Sequence, residues 1–325
     1  MAADGGDDDV FVYLGGDQEV PMHTTHAIID PSVNIVRRWA FANRQQLMSV
    51  IFHDGVEIIE EYAFACCESL PSIKLLGVRE IQERAFSNCY DLSGVEFGDR
   101  LETIGQYAFF NCSLRSIKIP TVGDIEDSAF GHCRKLTEAE FGIDLERIGC
   151  HSFYNCPNLQ RIAIPLKDNL FSLDPYDQRY DQFGECDSLT TVDIVGAEGI
   201  HKTISSLLLE SWKDEMNQEI NRINRELPDT PADEKTDLIR LWIRSVINRM
   251  ERYKAEHSRL LKEHMTQLEL AVWKTKLDER YNDSSQKVQV KRAKIDVGNA
   301  RKEKRITSGA DIIIKNVLPF LQLMQ

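Results

Sequence analysis

Eight cysteines and eight histidines are the side chains in this 325-residue sequence best able to ligate a metal or act as nucleophiles. Six of the cysteines, Cys67, Cys89, Cys112, Cys133, Cys156 and Cys186, recur at intervals of 22, 23, 21, 23 and 30 residues. A zinc site needs four ligands converging on a tetrahedron. Equivalent positions in stacked repeats instead lie in a line, about 4.8 Å apart. No C-x-x-C occurs, and Cys66-Cys67 are contiguous. The ladder therefore reads as buried structural thiols filling a small slot under each repeat, with Cys150, outside it, as the better candidate for an exposed thiol. Among the histidines, His23 and His26 alone approach ligand spacing, and they fall in a segment read as a terminal cap. P-loop, dinucleotide-binding, zincin and nucleophile-elbow motifs are absent. The expectation is a non-catalytic protein with no catalytic, metal-binding or cofactor-binding residues and no cofactor.

The elements that carry the cysteines form a repeat. Phe41, Phe64, Phe86, Phe109, Phe130, Phe153 and Phe183 are separated by 23, 22, 23, 21, 23 and 30 residues. The ladder cysteine follows three residues after each of the last six, and Arg44 holds that slot in the first. A leucine comes next (Leu47, Leu70, Leu92, Leu114, Leu136, Leu159, Leu189), then two apolar residues in alternation, such as Ile73/Leu75 and Ile117/Ile119. Period two predicts a short strand. The Ala-Phe segment is too short for a full helix, so a helical or irregular turn is expected there. One such unit cannot bury its apolar face alone, but stacked units make a continuous core.

This pattern resembles the BspA-type leucine-rich repeat over residues 33–196. The resemblance implies a solenoid used for recognition of a protein or ligand, with no catalytic residues to carry over. Five segments follow: an acidic N-terminal tail and cap, 1–32; a leucine-rich-repeat solenoid of seven coils, 33–196; an α-helical hairpin with coiled-coil-like character, 197–284; a basic disordered linker, 285–305; and an apolar C-terminal helix, 306–325.

Two parts of the repeat are candidates for binding a protein partner. The residue between the inward positions of each strand points outward, and that column includes Lys74, Glu96, Lys118 and Glu140. Alternating signs on adjacent strands support each other by about 0.2–1 kcal/mol per pair, so this face is either self-satisfied or a charged platform. The second part is the insertion at 166–182 before Phe183, whose Phe171, Tyr176 and Tyr180 are expected on an exposed loop.

Charge divides the chain. Residues 1–200 carry 15 basic and 33 acidic side chains, residues 201–325 carry 24 and 19, and the net is −13. That balance argues against general affinity for nucleic acid or an anionic membrane. The second half is helical in pattern: Leu208, Trp212, Met216, Ile220, Ile223 and Leu227 fall on one face. Pro228 ends that run, and Thr230-Pro231 reads as the cap of the next. That next run keeps Ile239, Ile243, Val246, Met250, Tyr253, His257 and Leu260 on a seam. At 1.5 Å per residue it spans about 75 Å and outreaches the coil stack. Homodimerisation through 232–282 is thus the alternative reading. The segment 306–325 either folds back on the long helix or stays free to dock. Lys291, Arg292 and Lys294 look like a short nuclear import motif, with an import receptor as the partner. No secretory signal and no membrane-length apolar run is seen. The expected location is cytoplasmic or nuclear, in a reducing compartment.

Overall fold

The computed structural model describes residues 10–171, 181–196 and 210–287. Its repeats form a parallel β-solenoid, followed by helices, and every coil has three sides. The longer strands make the first side: β1 (Val10–Tyr13), β2 (His26–Ile29), β4 (Ser49–Ile51), β6 (Ser72–Leu75), β8 (Gly94–Phe97), β10 (Ser116–Ile119), β12 (Glu138–Phe141), β14 (Arg161–Pro165) and β15 (Thr191–Val195). Their hydrogen-bonded ladders run β1-β2-β4, β6-β8 and β10-β12-β14-β15, all parallel. Two-residue strands make the second side: β3 (Ile35–Val36), β5 (Ile58–Ile59), β7 (Glu80–Ile81), β9 (Thr103–Ile104), β11 (Asp124–Ile125) and β13 (Arg147–Ile148). These six are one continuous parallel sheet.

The Ala-Phe turns make the third side, and they are more regular than the irregular turn expected of them. In the first six coils the residues two before and two after the Phe adopt the left-handed region, as in Tyr62 (φ 57°) and Cys66 (φ 60°) around Phe64, and in the last only Glu185, two after Phe183, does so. Among the described residues thirteen non-glycine residues are left-handed. Such backbone is costly for ordinary side chains, and complete hydrogen bonding offsets the cost. The N–H groups of Tyr62, Phe64 and Cys66 donate to Glu83, Ala85 and Ser87 O of the next coil at 2.8–2.9 Å. Those of Ala63 and Ala65 donate back within the turn, to Glu60 and Tyr62 O. No backbone donor of this stretch is stranded.

Beneath the turns lies the core. The seven phenylalanines are fully buried and stack with centroids 4.8–5.8 Å apart and planes within 17°. Offset aromatic pairs add about 0.5–1.5 kcal/mol each beyond burial. Each ladder thiol donates to the Phe carbonyl of the preceding coil, Cys89 to Phe64 O and Cys133 to Phe109 O for example, at 3.0–3.3 Å throughout. This is what a small donor in the slot does. A serine would have to bury a stronger polar group, and an alanine would leave the carbonyl without that bond. Burial pushes the Cys67, Cys112 and Cys156 thiols well up and that of Cys133 to about 12. In the first copy Arg44 reaches Val20 O at 3.1 Å instead.

The helices are α1 (Glu210–Ile220), α2 (Ile223–Glu226) and α3 (Lys235–Lys287). Met216, Ile223 and Leu227 are buried, as are Ile239, Trp242, Ile243 and Val246 of α3. Trp242 Nε1 donates to Glu219 O at 2.9 Å. Thr230 does not cap α3: it is extended (φ −90°, ψ 131°), and its hydroxyl donates back to Glu226 O at 2.8 Å. A 3-10 turn, Ala232–Glu234, starts the next helix instead.

These helices close the last coil. Lys235 is 1% exposed and its ammonium donates to Cys186, Asp187 and Leu189 O at 2.8–3.1 Å. Asn224 Oδ1 accepts the Val192 N–H of edge strand β15 at 2.7 Å. Thr236 Oγ1 accepts the Phe183 N–H and donates to Asp181 Oδ1. An unpaired strand edge is a liability that proteins cover, and polar atoms of the helices cover this one. Residues 210–249 belong to the same compact unit as the solenoid, and α3 from Met250 on belongs to the second. Within the second unit, Leu268, Leu270, Val272, Trp273 and Leu277 of α3 are exposed, between 41% and 65%. No helix among the described residues is long and apolar enough to cross a membrane.

Candidate protein-binding surface

The outward column of the strand side stands in register, Lys74 opposite Glu96 and Lys118 opposite Glu140. Lys74 Nζ lies 2.7 Å from Glu96, and Lys118 Nζ 2.8 Å from Glu140. Arg161, from the neighbouring column, reaches diagonally to Asp193 at 2.6 Å and toward Glu140 at 4.0 Å. Those charges are paired with one another. At such exposure each pair contributes about 0–1 kcal/mol.

The insertion differs from expectation at its first aromatic residue. Phe171 is 6% exposed and packs edge-on against Phe183 at 5.8 Å. It also bridges to Ile148 and so extends the short-strand side by one position. Phe171 is therefore core, because an apolar ring beside the last rung gains more from filling the coil than from facing water. Tyr176 and Tyr180 lie outside the described residues. So do Lys291, Arg292 and Lys294, the basic linker from residue 288 on, and the segment 306–325, whereas residues 285–287, placed in that linker, are the last of α3.

The turn side carries the feature that the strand columns did not reveal. Trp39, 48% exposed, stacks on Tyr62 with centroids 4.0 Å apart and planes 9° apart. Next in line, the Arg84 guanidinium sits between two rings, 5.5 Å from the Tyr62 centroid and 4.7 Å from that of Tyr107. Arg84 also donates to the Tyr62 hydroxyl and pairs with Glu83. Beyond Tyr107 the rail continues through Phe110 (5.3 Å), His132 (4.8 Å from Phe110) and Tyr154 (5.8 Å from His132). Two adjoining open grooves result. One is floored by Ala65 and Ser87 between Trp39 and Tyr107, and the other runs from Tyr107 past Tyr154 to the start of α3.

The left-handed residues explain how the rail is built. In the first six coils they hold the position two before the Phe at a nearly constant angle, so Trp39, Tyr62, Arg84 and Tyr107 stand one above another at the coil spacing. The signal was in the sequence. Reading down the position two before each Phe gives Trp39, Tyr62, Arg84, Tyr107, Ser128, His151 and Asp181. Reading the position after it gives Ala42, Ala65, Ser87, Phe110, Gly131, Tyr154 and Gly184. Nothing in a propensity argument says that these columns face outward and touch. Burial, together with Arg134, lowers the His132 pKa, whereas the hydrogen bond to Glu185 raises that of Tyr154. Among the described residues no cluster of histidine, cysteine or carboxylate side chains could hold a metal ion.

The family described as BspA type leucine rich repeat region matches the chain in six copies, over residues 22–137, 72–177 and 104–210. No curated protein sequence matches it. Among solved structures, a leucine rich cell surface protein from Faecalibacterium prausnitzii is 22% identical, with a TM-score of 0.32, over 54% of this chain and 62% of that one. A leucine-rich repeat protein from Bacteroides ovatus is 22% identical at TM-score 0.35, over 52% and 54%. The leucine rich repeat protein of T. pallidum is 22% identical at TM-score 0.37, over 51% and 68%. The chain thus spans less than two thirds of the first two.

Proposed function

This chain belongs to the BspA-type leucine-rich-repeat family, and from that premise we propose that it is a non-catalytic scaffold that holds a protein partner on the turn side of its solenoid. One observation carries the reading: Trp39, Tyr62, Arg84 and Tyr107 stand pre-stacked and accessible in one line. Trp, Tyr and Arg are the residue types that dominate binding energy at protein interfaces. Because each already rests on its neighbour, little side-chain freedom remains to be lost on binding. The strand side offers no comparable anchor, since Lys74, Glu96, Lys118 and Glu140 answer one another.

The test is photo-cross-linking of the full chain in its native extract, with a benzophenone side chain at Arg38, beside the rail, or at Ser72, on the strand side. One protein should be captured reproducibly from Arg38 alone, and Trp39→Ala should abolish that capture. Capture from Ser72 alone, or capture unchanged by Trp39→Ala, sinks the turn-side reading.

A second reading, assembly through the 232–282 helix, is favoured by the exposed Leu268, Leu270, Val272, Trp273 and Leu277. Light scattering on the full chain decides it: a monomer at micromolar concentration rules out a homodimer of useful strength. For location we propose the cytoplasm or nucleus, with the thiol ladder suited to a reducing compartment. An import receptor would read Lys291, Arg292 and Lys294. Unchanged nuclear staining of Lys291→Ala/Lys294→Ala would remove that partner.

A further inference from the structure

We propose that the groove between Tyr107 and the start of α3 receives a basic side chain, an arginine or lysine presented by an extended segment of the partner. The inference rests on the turn-side reading and adds the partner's chemistry.

The first support is a template inside the molecule. One coil earlier, a guanidinium already lies between two tyrosine rings, Arg84 between Tyr62 and Tyr107. In the next coil the position of Arg84 two before the Phe passes through Tyr107 to Ser128, and the position after the Phe is Gly131. Ser128 is small, so the column two before the Phe carries no ring or guanidinium in that coil. Gly131 makes room for the Phe110 ring, which lies 3.1 Å from where a Cβ would stand. A cavity of about 800 Å³ is lined here by Tyr107, Phe110, Ser128 and Tyr154. A cation over such faces gains about 0.5–2 kcal/mol, with arginine favoured.

The second support is charge. The lining also carries Asp181, Glu185, Asp233 and Asp237, and among the described residues no lysine or arginine lines the cavity. The four are not equivalent. Asp237 is paired with Arg240 at 2.7 Å, and Asp181 accepts from Thr236 Oγ1 and the Phe183 N–H. Glu185 accepts the Tyr154 hydroxyl on Oε1 at 2.7 Å, and both Glu185 and Asp233 are exposed. The N-terminal end of α3 moderates the charge of Asp233, which leaves Glu185 as the principal anion. Two imidazoles, His132 and His151, complete the lining. Burial disfavours the charged form of His132, which keeps a competing cation out. Aromatic rings and carboxylates in one lining are complementary to a guanidinium or ammonium and reject an acidic segment.

The experiment uses the full chain and fluorescein-labelled Gly-Ser-Arg-Ser-Arg-Ser-Gly, with the citrulline and glutamate versions as neutral and acidic probes, read by anisotropy at about 0.15 M salt. The arginine peptide should bind about tenfold tighter than its citrulline isostere. Glu185→Gln with Asp233→Asn should remove that preference, whereas Glu96→Gln with Glu140→Gln, the same change of net charge on the strand side, should not. Equal losses from the two double variants would mean attraction to an acidic protein in general. That result, or arginine and citrulline peptides binding alike, overturns the inference. The cross-linking at Arg38 reads the broader proposal separately. A partner still captured there by the Glu185→Gln/Asp233→Asn chain, with no arginine preference in the wild type, would sink the pocket and spare the turn-side reading.

Discussion

The strand side and the turn side of this solenoid are both columns of exposed side chains repeated at one coil spacing, yet they reach different ends. On the strand side, extended backbone projects Lys74, Glu96, Lys118 and Glu140 in register, and opposite charges close on each other at 2.7 and 2.8 Å. On the turn side, left-handed backbone projects flat groups, Trp39 on Tyr62 at 4.0 Å and Arg84 between two rings. A point charge is neutralised by one partner, whereas a ring or guanidinium plane that stacks on one face keeps its other face open. Repetition of charged residues consumes a surface, and repetition of planar residues builds one.

The comparison presumes that both sides hang from one core, and Phe109→Ala is the severest test of that. Loss of a middle rung should cost about 3–5 kcal/mol, seen as a lower urea midpoint with hydrogen-exchange protection falling on both sides together. Protection lost on one side only would separate them. Next in size is Lys235→Met, which removes the donor to three carbonyls of the last coil and should cost about 2–3 kcal/mol. Exchange should rise first at Phe183 and Val192, where the helices meet the solenoid.

Alkaline titration sharpens the contrast, because the thiol ladder lies under the turn side. In the folded chain burial raises the Cys67, Cys112 and Cys156 pKa values, and that of Cys133 to about 12 from an ordinary 9.0. A raised folded pKa means that the folded chain keeps protons which the unfolded chain sheds. Stability from this source is whole below pH 9 and is lost as pH climbs toward 12. Turn-side amides should lose protection in that window before strand-side amides. At pH 8 the six ladder thiols should resist alkylation until the chain is unfolded.

The smallest effects compare the surfaces directly. Arg84→Ala removes a cation from two ring faces and should lower stability by about 1 kcal/mol. Lys118→Ala removes a cation from one exposed pair and should change it by no more than about 0.5 kcal/mol. Equal effects in a chemical-denaturation series would erase the distinction between the two sides.

Much of this was legible in the residues. The interval between phenylalanines, the cysteine three positions on and the period-two pairs led to a leucine-rich-repeat solenoid. The outward column read from that register stands as read, Lys74 opposite Glu96 and Lys118 opposite Glu140. Thiols filling a small slot followed from the same spacing, and each is buried in that slot. Phe171 was misplaced because an apolar residue at the start of an insertion belongs to the core or to the loop, depending on where the coil's edge falls. Thr230 has the type of a helix cap, but its backbone leads away from α3 and its hydroxyl turns back to the preceding turn. The rail went unseen because its members lie about 22 residues apart in different coils, and their contact depends on a backbone conformation that side-chain type does not announce.

By itself the sequence determined the repeat, its register and the inward or outward sense of most residues in the longer strands from β4 on, with Ala163, read as outward, buried instead. Periodicity and burial are properties of residue order, and a slip of one residue would have put the apolar set in water. Tertiary structure alone decided what the outward residues do to one another. It paired Lys74 with Glu96, seated Arg84 between tyrosines, laid the Phe110 ring over Gly131, and brought Lys235 and Asn224 of the helices onto the last coil. Those outcomes are set by the spacing between coils and by the left-handed turns, which fix distances between residues that the chain keeps far apart.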